Sequence, residues 1–274
     1  MMKKVILSFA LVLFATFSYA NNTVKKSVAV SSFNAIEVYS MFQIEVVKSP
    51  NRSVEIEISE NLEEYLVARE NGRTLELYLD NVPSKKISSD DVVKAVIYTP
   101  SLIDVELSGA VSALFFGEFN ESEFEMDLSG AVKVNGLKIL ARSGSLECSG
   151  AAKLYDSELK INSLEIDCSG ASKVELSVES DVLSVDLSGA NNISVEGKGE
   201  RLGIDASGAV KADFLKFAVQ HAEVECSGAA VLKVSPVKTI SFDISGASNV
   251  KYKGGDDLKI LGLDISGAAR VKSL

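Results

Sequence analysis

Acidic side chains recur at a regular distance in the last two-thirds of the chain. Each stands two positions before a Ser-Gly-Ala tripeptide, and nine such tripeptides follow one another with a nearly constant spacing. If successive repeats stack, neighbouring carboxylates lie about 5 Å apart and repel each other by roughly 1–3 kcal/mol. A divalent cation would relieve that repulsion, so the central acids form a candidate cation-binding ladder: Asp127, Glu147, Asp167, Asp186 and Asp205. The alternative is a solvated face that keeps sheets from associating.

Carboxylates also cleave polysaccharides in some enzymes, where two acids flank the bond at a set distance. Such a site needs one place with a residue set that the other repeats lack, whereas the acidic column is the same in every repeat. Tryptophan is absent and His221 is the single histidine, which argues against catalytic triads and multi-histidine metal sites. The sequence therefore favours a protein without catalytic residues or cofactors. A carbohydrate-active β-helix enzyme, a lyase or hydrolase using surface carboxylates, is the alternative.

Three cysteines, Cys148, Cys168 and Cys226, each stand immediately before a repeat serine. Leucine or isoleucine fills the same position in other repeats, which favours cysteine as a small buried hydrophobe. Cys148 and Cys168 are one repeat apart, so a disulfide between them stays open. The odd number leaves at least one thiol free or paired with another molecule.

The residues before each serine alternate strictly in character. In the repeat that ends at Ser188, Val185 and Leu187 are apolar and Asp186 between them is acidic, and all nine repeats share this order. An alternation of period two predicts a half-buried β-strand with the carboxylates facing outward. A second short strand is expected after each tripeptide.

Glycine in each tripeptide predicts a sharp corner, because glycine adopts backbone angles that a Cβ penalises. The alanine that follows is expected to turn into the crowded inside of that corner. The serine hydroxyls are expected to bond to backbone groups there. The nine corner glycines are Gly109, Gly130, Gly150, Gly170, Gly189, Gly208, Gly228, Gly246 and Gly267.

Repetition at about 20 residues indicates a solenoid, since one strand–corner–strand unit cannot bury its own apolar face. A repeat of this length gives a perimeter of roughly 65 Å, which suits a coil of two or three short strands stacked in parallel. We therefore predict an all-β parallel β-helix over residues 101–274.

Residues 21–100 lack the repeat but are also rich in strand-like segments, so we predict a less regular β region continuous with the solenoid. Residues 1–20 are predicted to be a secretory signal peptide: Lys3 and Lys4 precede an apolar stretch of about thirteen residues, too short to span a bilayer. Ser18-Tyr19-Ala20 supplies a small-x-small cleavage site. No other stretch is long and apolar enough to cross a membrane.

Composition limits the partners. The chain has 274 residues, 46% of them hydrophobic, and a formal net charge of −10. That hydrophobic content excludes a disordered chain, and the acidic balance argues against nucleic acid. A partly basic column follows the corners and offsets some of the acidity, although the spacing does not require direct pairing around the bend: Lys133, Lys153, Lys173, Lys211 and Arg270.

Several segments resemble the start of the head-GIN-domain family of auto-transporter adhesins, which is common in the Bacteroidetes. They are Phe33 to Val38, Phe42 to Val46, Asn61-Leu62 and Gly72 to Leu77, followed by Tyr98-Thr99-Pro100 and the Ser-Gly-Ala repeats. The resemblance covers nearly all of the chain after the signal peptide. It implies a right-handed β-helix and an exported protein, and it brings no catalytic residues.

Together these features predict an exported, non-catalytic binding or structural module of the cell envelope, adhesin-like, that presents a repetitive acidic face. The expected location is the periplasm, the outer surface or the extracellular space. The expected partner is an envelope or extracellular ligand, a polysaccharide or a protein. Self-association through the end of the solenoid is a further expectation, because a last coil leaves a strand edge that another copy can pair with.

Overall fold

The computed structural model describes residues 22–274, so the signal-peptide prediction for residues 1–20 lies outside the described residues. Two short 3₁₀ helices, Glu60–Tyr65 and Ser84–Lys86, interrupt an otherwise all-β chain. The strands are β1 (Thr23–Val28), β2 (Ala35–Val38), β3 (Gln43–Lys48), β4 (Ser53–Ser59), β5 (Leu66–Asn71), β6 (Thr74–Leu79), β7 (Val93–Thr99), β8 (Asp104–Leu107), β9 (Ser112–Phe116), β10 (Phe119–Asn120), β11 (Glu123–Leu128), β12 (Lys133–Asn135), β13 (Lys138–Cys148), β14 (Lys153–Cys168), β15 (Lys173–Leu187), β16 (Asn192–Ala206), β17 (Lys211–Cys226), β18 (Val231–Ile244), β19 (Asn249–Tyr252), β20 (Lys259–Ile265) and β21 (Arg270–Ser273).

The strands stack in parallel as a solenoid with one coil for each sequence repeat, which confirms the predicted fold class. Each regular coil is one Ser-Gly-Ala corner followed by one long strand of 14 to 16 residues, as in β14 to β18. A strand of that length must bend to return to the next corner, and some neighbouring strands change register along their length, as β14 and β15 do between Leu154 and Ser157. Equivalent residues lie side by side, as Asp167 does with Asp186.

The core is built from the apolar columns of the alternating pattern. The residues immediately before the serine and three before it are buried in eight of nine repeats, from Val105 and Leu107 to Phe242 and Ile244. In the last coil the same positions are open: Ile265 is 40% and Leu263 is 56% exposed, because no further coil covers them. Each Å² of apolar surface buried contributes about 25 cal/mol, and because the core is one continuous stack this burial stabilises the whole rod.

The corner glycines adopt the left-handed backbone conformation (positive φ) that the sequence predicts, with one exception. Eight of the nine corner glycines have φ between +71° and +102°, and Gly170 does not. From Ala131 onward, successive corners are linked because each alanine N–H donates to the glycine carbonyl of the coil before it at 2.6–2.9 Å. Only the Ser245 hydroxyl, among these nine serines in the described chain, bonds to a corner backbone group, the Cys226 carbonyl at 3.3 Å.

The alanine of the tripeptide does not face the inside of the corner, so that expectation was wrong. All nine alanines are exposed, and the residue after each alanine is buried in eight repeats. This residue is apolar in most coils and is Asn191 in one. The Asn191 amide donates to the carbonyls of Cys168 and Ser188 and accepts from the Ser172 N–H, so this side chain bonds to three backbone groups at the corner.

The first hundred residues join the same stack in an order that differs from the sequence. β2 pairs in parallel with both β6 and β8, and β3 with both β7 and β9. The coil formed by β2 and β3 therefore lies between the coil of β6 and β7, which comes later in the chain, and the first regular coil. β4, β1 and β5 add antiparallel strands at this end. Within residues 22–274, no helix is long and apolar enough to cross a membrane.

Candidate functional site

The predicted acidic ladder is continuous along one face of the rod. In the register of the stack, Asp127 lies beside Glu147, Glu147 beside Asp167, Asp167 beside Asp186, and Asp186 beside Asp205. All five side chains are exposed, because the alternation turns their apolar neighbours inward. The face is therefore a row of carboxylates at the strand spacing of about 4.8 Å.

The ladder is longer than the repeats indicate. Glu37 of β2 lies beside Glu106 on one side and Glu76 of β6 on the other. The nine repeat acids plus these two make eleven carboxylates in one row: Glu76, Glu37, Glu106, Asp127, Glu147, Asp167, Asp186, Asp205, Glu225, Asp243 and Asp264.

Sequence reasoning missed Glu37 and Glu76 because neither precedes a Ser-Gly-Ala tripeptide. The sequence feature that could have revealed Glu37 is the apolar–acidic–apolar order of Ile36, Glu37 and Val38, which resembles the order before each tripeptide and is followed by Ser40. Ser40 takes the place of the corner glycine, with φ +73°, and its carbonyl accepts the Ala110 N–H at 2.7 Å. The Ser40 hydroxyl also bonds to the carbonyl and the N–H of Leu79, which helps to hold a residue other than glycine in the left-handed region at this corner.

The carboxylates of this face interact electrostatically. Partial loss of solvent beside the neighbouring coils raises the pKa of Asp186, although its side chain is exposed, and the charges of Asp205 and Asp167 raise it further. Towards the N-terminal end, burial also raises the pKa of Glu106, with an additional increase from Glu37 and Asp127. At these two positions burial, followed by the neighbouring negative charges, therefore disfavours the ionised form.

Hydrogen bonds act in the opposite direction on two acids near the N-terminal end. Backbone and hydroxyl donors of Ser31 and Ser32 bind the Glu70 carboxylate and lower its pKa to about 2. The Asn71 amide and the Arg69 guanidinium lower the pKa of Glu76, which is the one ladder member in the described chain with cationic and amide partners of this kind. Glu70 ties the segment before β2 to β5.

These shifts predict a maximum of stability in mildly acidic solution. The raised pKa values of Asp186, Glu106 and Glu37 mean that the folded state binds protons more readily, so stability increases as pH falls from 7 towards 4.5. The lowered pKa of Glu70 means that its contribution is present above 4.5 and is lost as pH falls towards 2. Thermal melts between pH 7 and 2 measure both the rise in stability and its loss at lower pH. Asp186→Asn should flatten the rise, and a monotonic fall from pH 7 would contradict the prediction.

No group of three or more His, Cys, Asp or Glu side chains converges as a metal-binding cluster within residues 22–274. The ladder carboxylates lie in a row and do not surround a common point. Cation binding to Asp127, Glu147, Asp167, Asp186 and Asp205 would therefore take the form of ions shared between neighbours, and it stays a prediction.

The cysteines occupy the buried column before the serine. Cys148, Cys168 and Cys226 are free thiols with at most 4% of their surface exposed. Cys148 lies beside Cys168 in adjacent coils, and the hydrogen bond between the two thiols, together with burial, raises the pKa of Cys148 far above its usual range. Burial raises the pKa of Cys226 to about 12. The thiolate form, which reacts with alkylating reagents, is thus strongly disfavoured at Cys148 and Cys226.

We expect the three thiols to react with a maleimide reagent only after unfolding. Counting labelled cysteines by mass spectrometry, in native buffer and in denaturant, measures this directly. Rapid native labelling at any of the three would place the column before the serine on the surface and reverse the assignment of inside and outside.

The single histidine lies away from the acidic ladder. His221 is half-buried, its Nδ1 is 2.8 Å from Thr239 Oγ1, and its Nε2 is 3.8 Å from a Glu200 carboxylate oxygen. Its contacts are with residues of the neighbouring coils, and it belongs to the coil surface.

A groove of about 490 Å³ interrupts the outer face near the N-terminal end, where β1, β4, β7, β3 and β9 lie side by side. Its acids are Glu45, Glu55 and Glu57, and its other lining residues include Lys94, Val96 and Leu114. Glu45 and Glu55 are both register partners of Val96, from the two neighbouring strands. Their Cα atoms are thus about two strand spacings, roughly 10 Å, apart. A cleft with acids in the irregular part before residue 100 is what the enzyme alternative requires, but the residues of this groove could not be predicted, because it depends on the antiparallel pairing of β4 with β7.

Three crystal structures share the fold over nearly the whole chain. A "putative adhesin" from Parabacteroides merdae ATCC 43184 has a TM-score of 0.66 at 16% identity, covering 92% of this chain and 96% of that one. A "putative lipid binding protein" from Parabacteroides distasonis ATCC 8503 has a TM-score of 0.65 at 19% identity, covering 92% and 97%. A "putative adhesin" from the same P. distasonis strain has a TM-score of 0.62 at 16% identity, covering 93% and 98%. No curated protein matches the chain.

The family model described as "putative auto-transporter adhesin, head GIN domain" matches residues 32–157 and again residues 140–255. The two matches overlap and together extend over most of the 274 residues, through both the doubled-back first coils and the regular repeats. The chain therefore belongs to the head-GIN-domain family of putative auto-transporter adhesins.

Proposed function

We propose that this protein is an exported, non-catalytic binding module of the cell envelope, adhesin-like, whose binding face is the acidic ladder. Membership of an adhesin family supports a binding role. The observation that carries the proposal is the unbroken row of carboxylates on a parallel stack, of which all but the buried Glu76 are at least partly exposed. A surface of this kind suits many weak, equivalent contacts, whereas catalysis needs one preorganised place.

The proposed ligands are cationic groups of envelope polysaccharides or proteins, and divalent ions that bridge the ladder to other acidic surfaces. Each exposed charge contributes little by itself, so affinity would come from repetition along the rod. High salt should weaken the binding, because the Debye length falls from about 10 Å at 0.1 M to about 3 Å at 1 M. Export to the periplasm, outer surface or medium is tested by protease accessibility on intact cells.

A binding screen tests the proposal. Purified protein is screened against neutral, acidic and amine-bearing polysaccharides, with and without calcium. Lipid vesicles form a further arm, since one structure of the same fold is named a putative lipid binding protein.

Neutralising part of the ladder should weaken whatever binding the screen finds. Asp167→Asn, Asp186→Asn and Asp205→Asn combined should reduce affinity about tenfold or more, because repeated contacts are lost together. The matched control neutralises three exposed acids off the ladder, Glu179→Gln, Glu196→Gln and Glu200→Gln. Equal binding by both triple variants would overturn the proposal.

The groove beside β4 supports a second candidate, a carbohydrate-active enzyme. Glu45 and Glu55 line this groove on either side of β7, with Cα atoms roughly 10 Å apart, and two acids that flank a bond are what inverting hydrolysis requires. The same screen separates the two functions by assaying released oligosaccharides. Multiple-turnover cleavage that Glu45→Gln or Glu55→Gln abolishes would replace the binding module by an enzyme, and we expect none.

Self-association through the end of the solenoid also stays a prediction. β20 and β21 have no further coil beside them in the described chain, and Leu261 is 70% and Leu263 is 56% exposed. If this end pairs with another copy, Leu261→Asp with Leu263→Asp should remove the species formed through this end in sedimentation velocity.

A further inference from the structure

A short stack of cations lies just beyond the corners. Lys133, Lys153 and Lys173 begin the strand that follows three successive corners, and they lie beside one another in the register of the stack. We call these three residues the lysine stripe. The fold does not require a cation there, because other residues fill the same column in other coils: Ser112, Asn192, Val231 and Asn249.

The stripe is only partly neutralised within its own molecule. Lys173 bonds to Glu175 at 2.8 Å and lies 5.0 Å from the centre of the Tyr155 ring. Lys133 and Lys153 are exposed, and neither forms an ion pair with any residue of the described chain 22–274. Three like charges stacked at about 4.8 Å form a surface that attracts a row of anions with the same spacing.

The acidic ladder is such a row. Each lysine of the stripe has a ladder acid in its own coil on the other side of the same corner: Asp127 before Lys133, Glu147 before Lys153, and Asp167 before Lys173. Both rows follow the stacking of the same strands, so their spacings are equal. A second copy can be generated by a two-fold rotation about an axis that is parallel to the rod and lies beside the corners. The acidic ladder of each copy then lies beside the lysine stripe of the other, and equivalent coils are at the same height.

Between the two rows the rod presents only the exposed Ser-Gly-Ala corners. These side chains are small, and the inward column begins one residue later. Two corners can therefore approach closely enough for long lysine side chains to reach the carboxylates of the other copy. Whether this approach is favourable depends on the charges of the acidic ladder and the lysine stripe, which flank the corner.

We propose that a second copy of this chain docks corner to corner on this edge, pairing its acidic ladder with the lysine stripe and its lysine stripe with the acidic ladder. The rotation is two-fold, so the interface is closed and repeats the same three pairs twice. The partner that the charge pattern fits is thus the protein itself, in a dimer whose two rods run in the same direction.

Sedimentation equilibrium at increasing protein concentration, up to about 1 mM, tests the proposal over the range that tethering to a surface supplies. Exposed pairs are strongly screened, so the dimer should dissociate about tenfold more readily in 1 M salt, with a Debye length of about 3 Å, than in 0.01 M salt, with about 30 Å. A monomer under all of these conditions would overturn the proposal, as would a dimer indifferent to salt.

Charge reversal gives the decisive comparison. One variant carries K133E, K153E and K173E, and a second carries D127K, E147K and D167K. Each alone should lose self-association, because both rows then have the same sign. An equimolar mixture should form a heterodimer at least as stable as the wild-type dimer. A control variant reverses three lysines elsewhere, K198E, K216E and K238E, and should dimerise as the wild type does.

The outcomes separate this contact from the ligand-binding function. The variant with a reversed lysine stripe keeps the whole acidic ladder, so it should still bind the polysaccharide, calcium or vesicle that the screen identifies while losing the dimer. Failure of the mixed variants to associate would overturn the docking proposal and leave the binding module intact. Reduced association of the control variant by a similar factor would also overturn it, since net charge would then be the cause.

Discussion

Leu187→Asp is expected to destabilise the protein by about 4 kcal/mol or more, or to prevent folding. Leu187 is 2% exposed and lies in the buried column between Cys168 of one coil and Ala206 of the next. An aspartate there has no partner for its charge, and large losses of stability arise from such unpaired buried groups. Chemical denaturation, followed by circular dichroism, measures the loss.

The matched control is the neighbouring residue. Asp186→Leu makes the opposite exchange on the outer face, where it also removes a carboxylate that repels Asp167 and Asp205. Its effect should stay within about 0.5 kcal/mol of zero. Similar losses for the two variants would contradict the assignment of inner and outer columns.

Gly189→Val is expected to cost about 3 kcal/mol or more. Gly189 has φ +86°, and a Cβ there would lie 2.5 Å from the Gly170 carbonyl oxygen of the coil below. A β-branched residue is a strong outlier in the left-handed region, and the backbone below cannot give way without breaking the stack. The thermal midpoint and the denaturation free energy should both fall sharply.

Gly203→Val is the control, because it makes the same substitution in the neighbouring strand β16. Gly203 has no atom within 4 Å of an added Cβ and lacks a positive φ. Valine suits an extended strand, so this variant should be neutral or more stable by up to about 1 kcal/mol. If the two valines behave alike, the corner glycines serve some purpose other than backbone geometry.

The regular part of the fold could be predicted because every coil repeats the same pattern. Val185, Asp186 and Leu187 are one of nine copies of an inward–outward–inward order, so an irregularity in one copy does not obscure it. The alanine of the tripeptide was misplaced because its small size suits both a crowded interior and an exposed corner. The backbone conformation of the turn determines which residue faces the core, and it turns the residue after the alanine, such as Val210, inward.

The candidate site could be predicted only in part, for a related reason. Asp127 to Asp205 could be placed in one row from spacing, whereas Glu37 and Glu76 depend on pairings between segments that lie far apart in the chain. Such pairings leave no period in the sequence. The same holds for the groove of Glu45 and Glu55.

The position of β2 and β3 between later strands has a consequence for how the chain reaches its fold. A solenoid whose coils followed sequence order could wind from its first residue as synthesis proceeds. Here Ala35 can complete its pairing only after both Thr74 and Asp104 have been made, so the N-terminal coils cannot close until about a hundred residues are present. Such distant contacts are slow to form, whereas each later coil needs only the coil directly before it.

We therefore expect the N-terminal third to act as the template and the slow step, with the remaining coils adding to it in sequence. Pulse-labelled hydrogen exchange during refolding would test this order, and earlier protection of β16 and β17 than of β2 and β8 would contradict it. A chain built this way can gain or lose repeats at its far end over evolutionary time without disturbing the part that starts its folding. The number of coils in the rod can thus vary while the N-terminal coils stay the same.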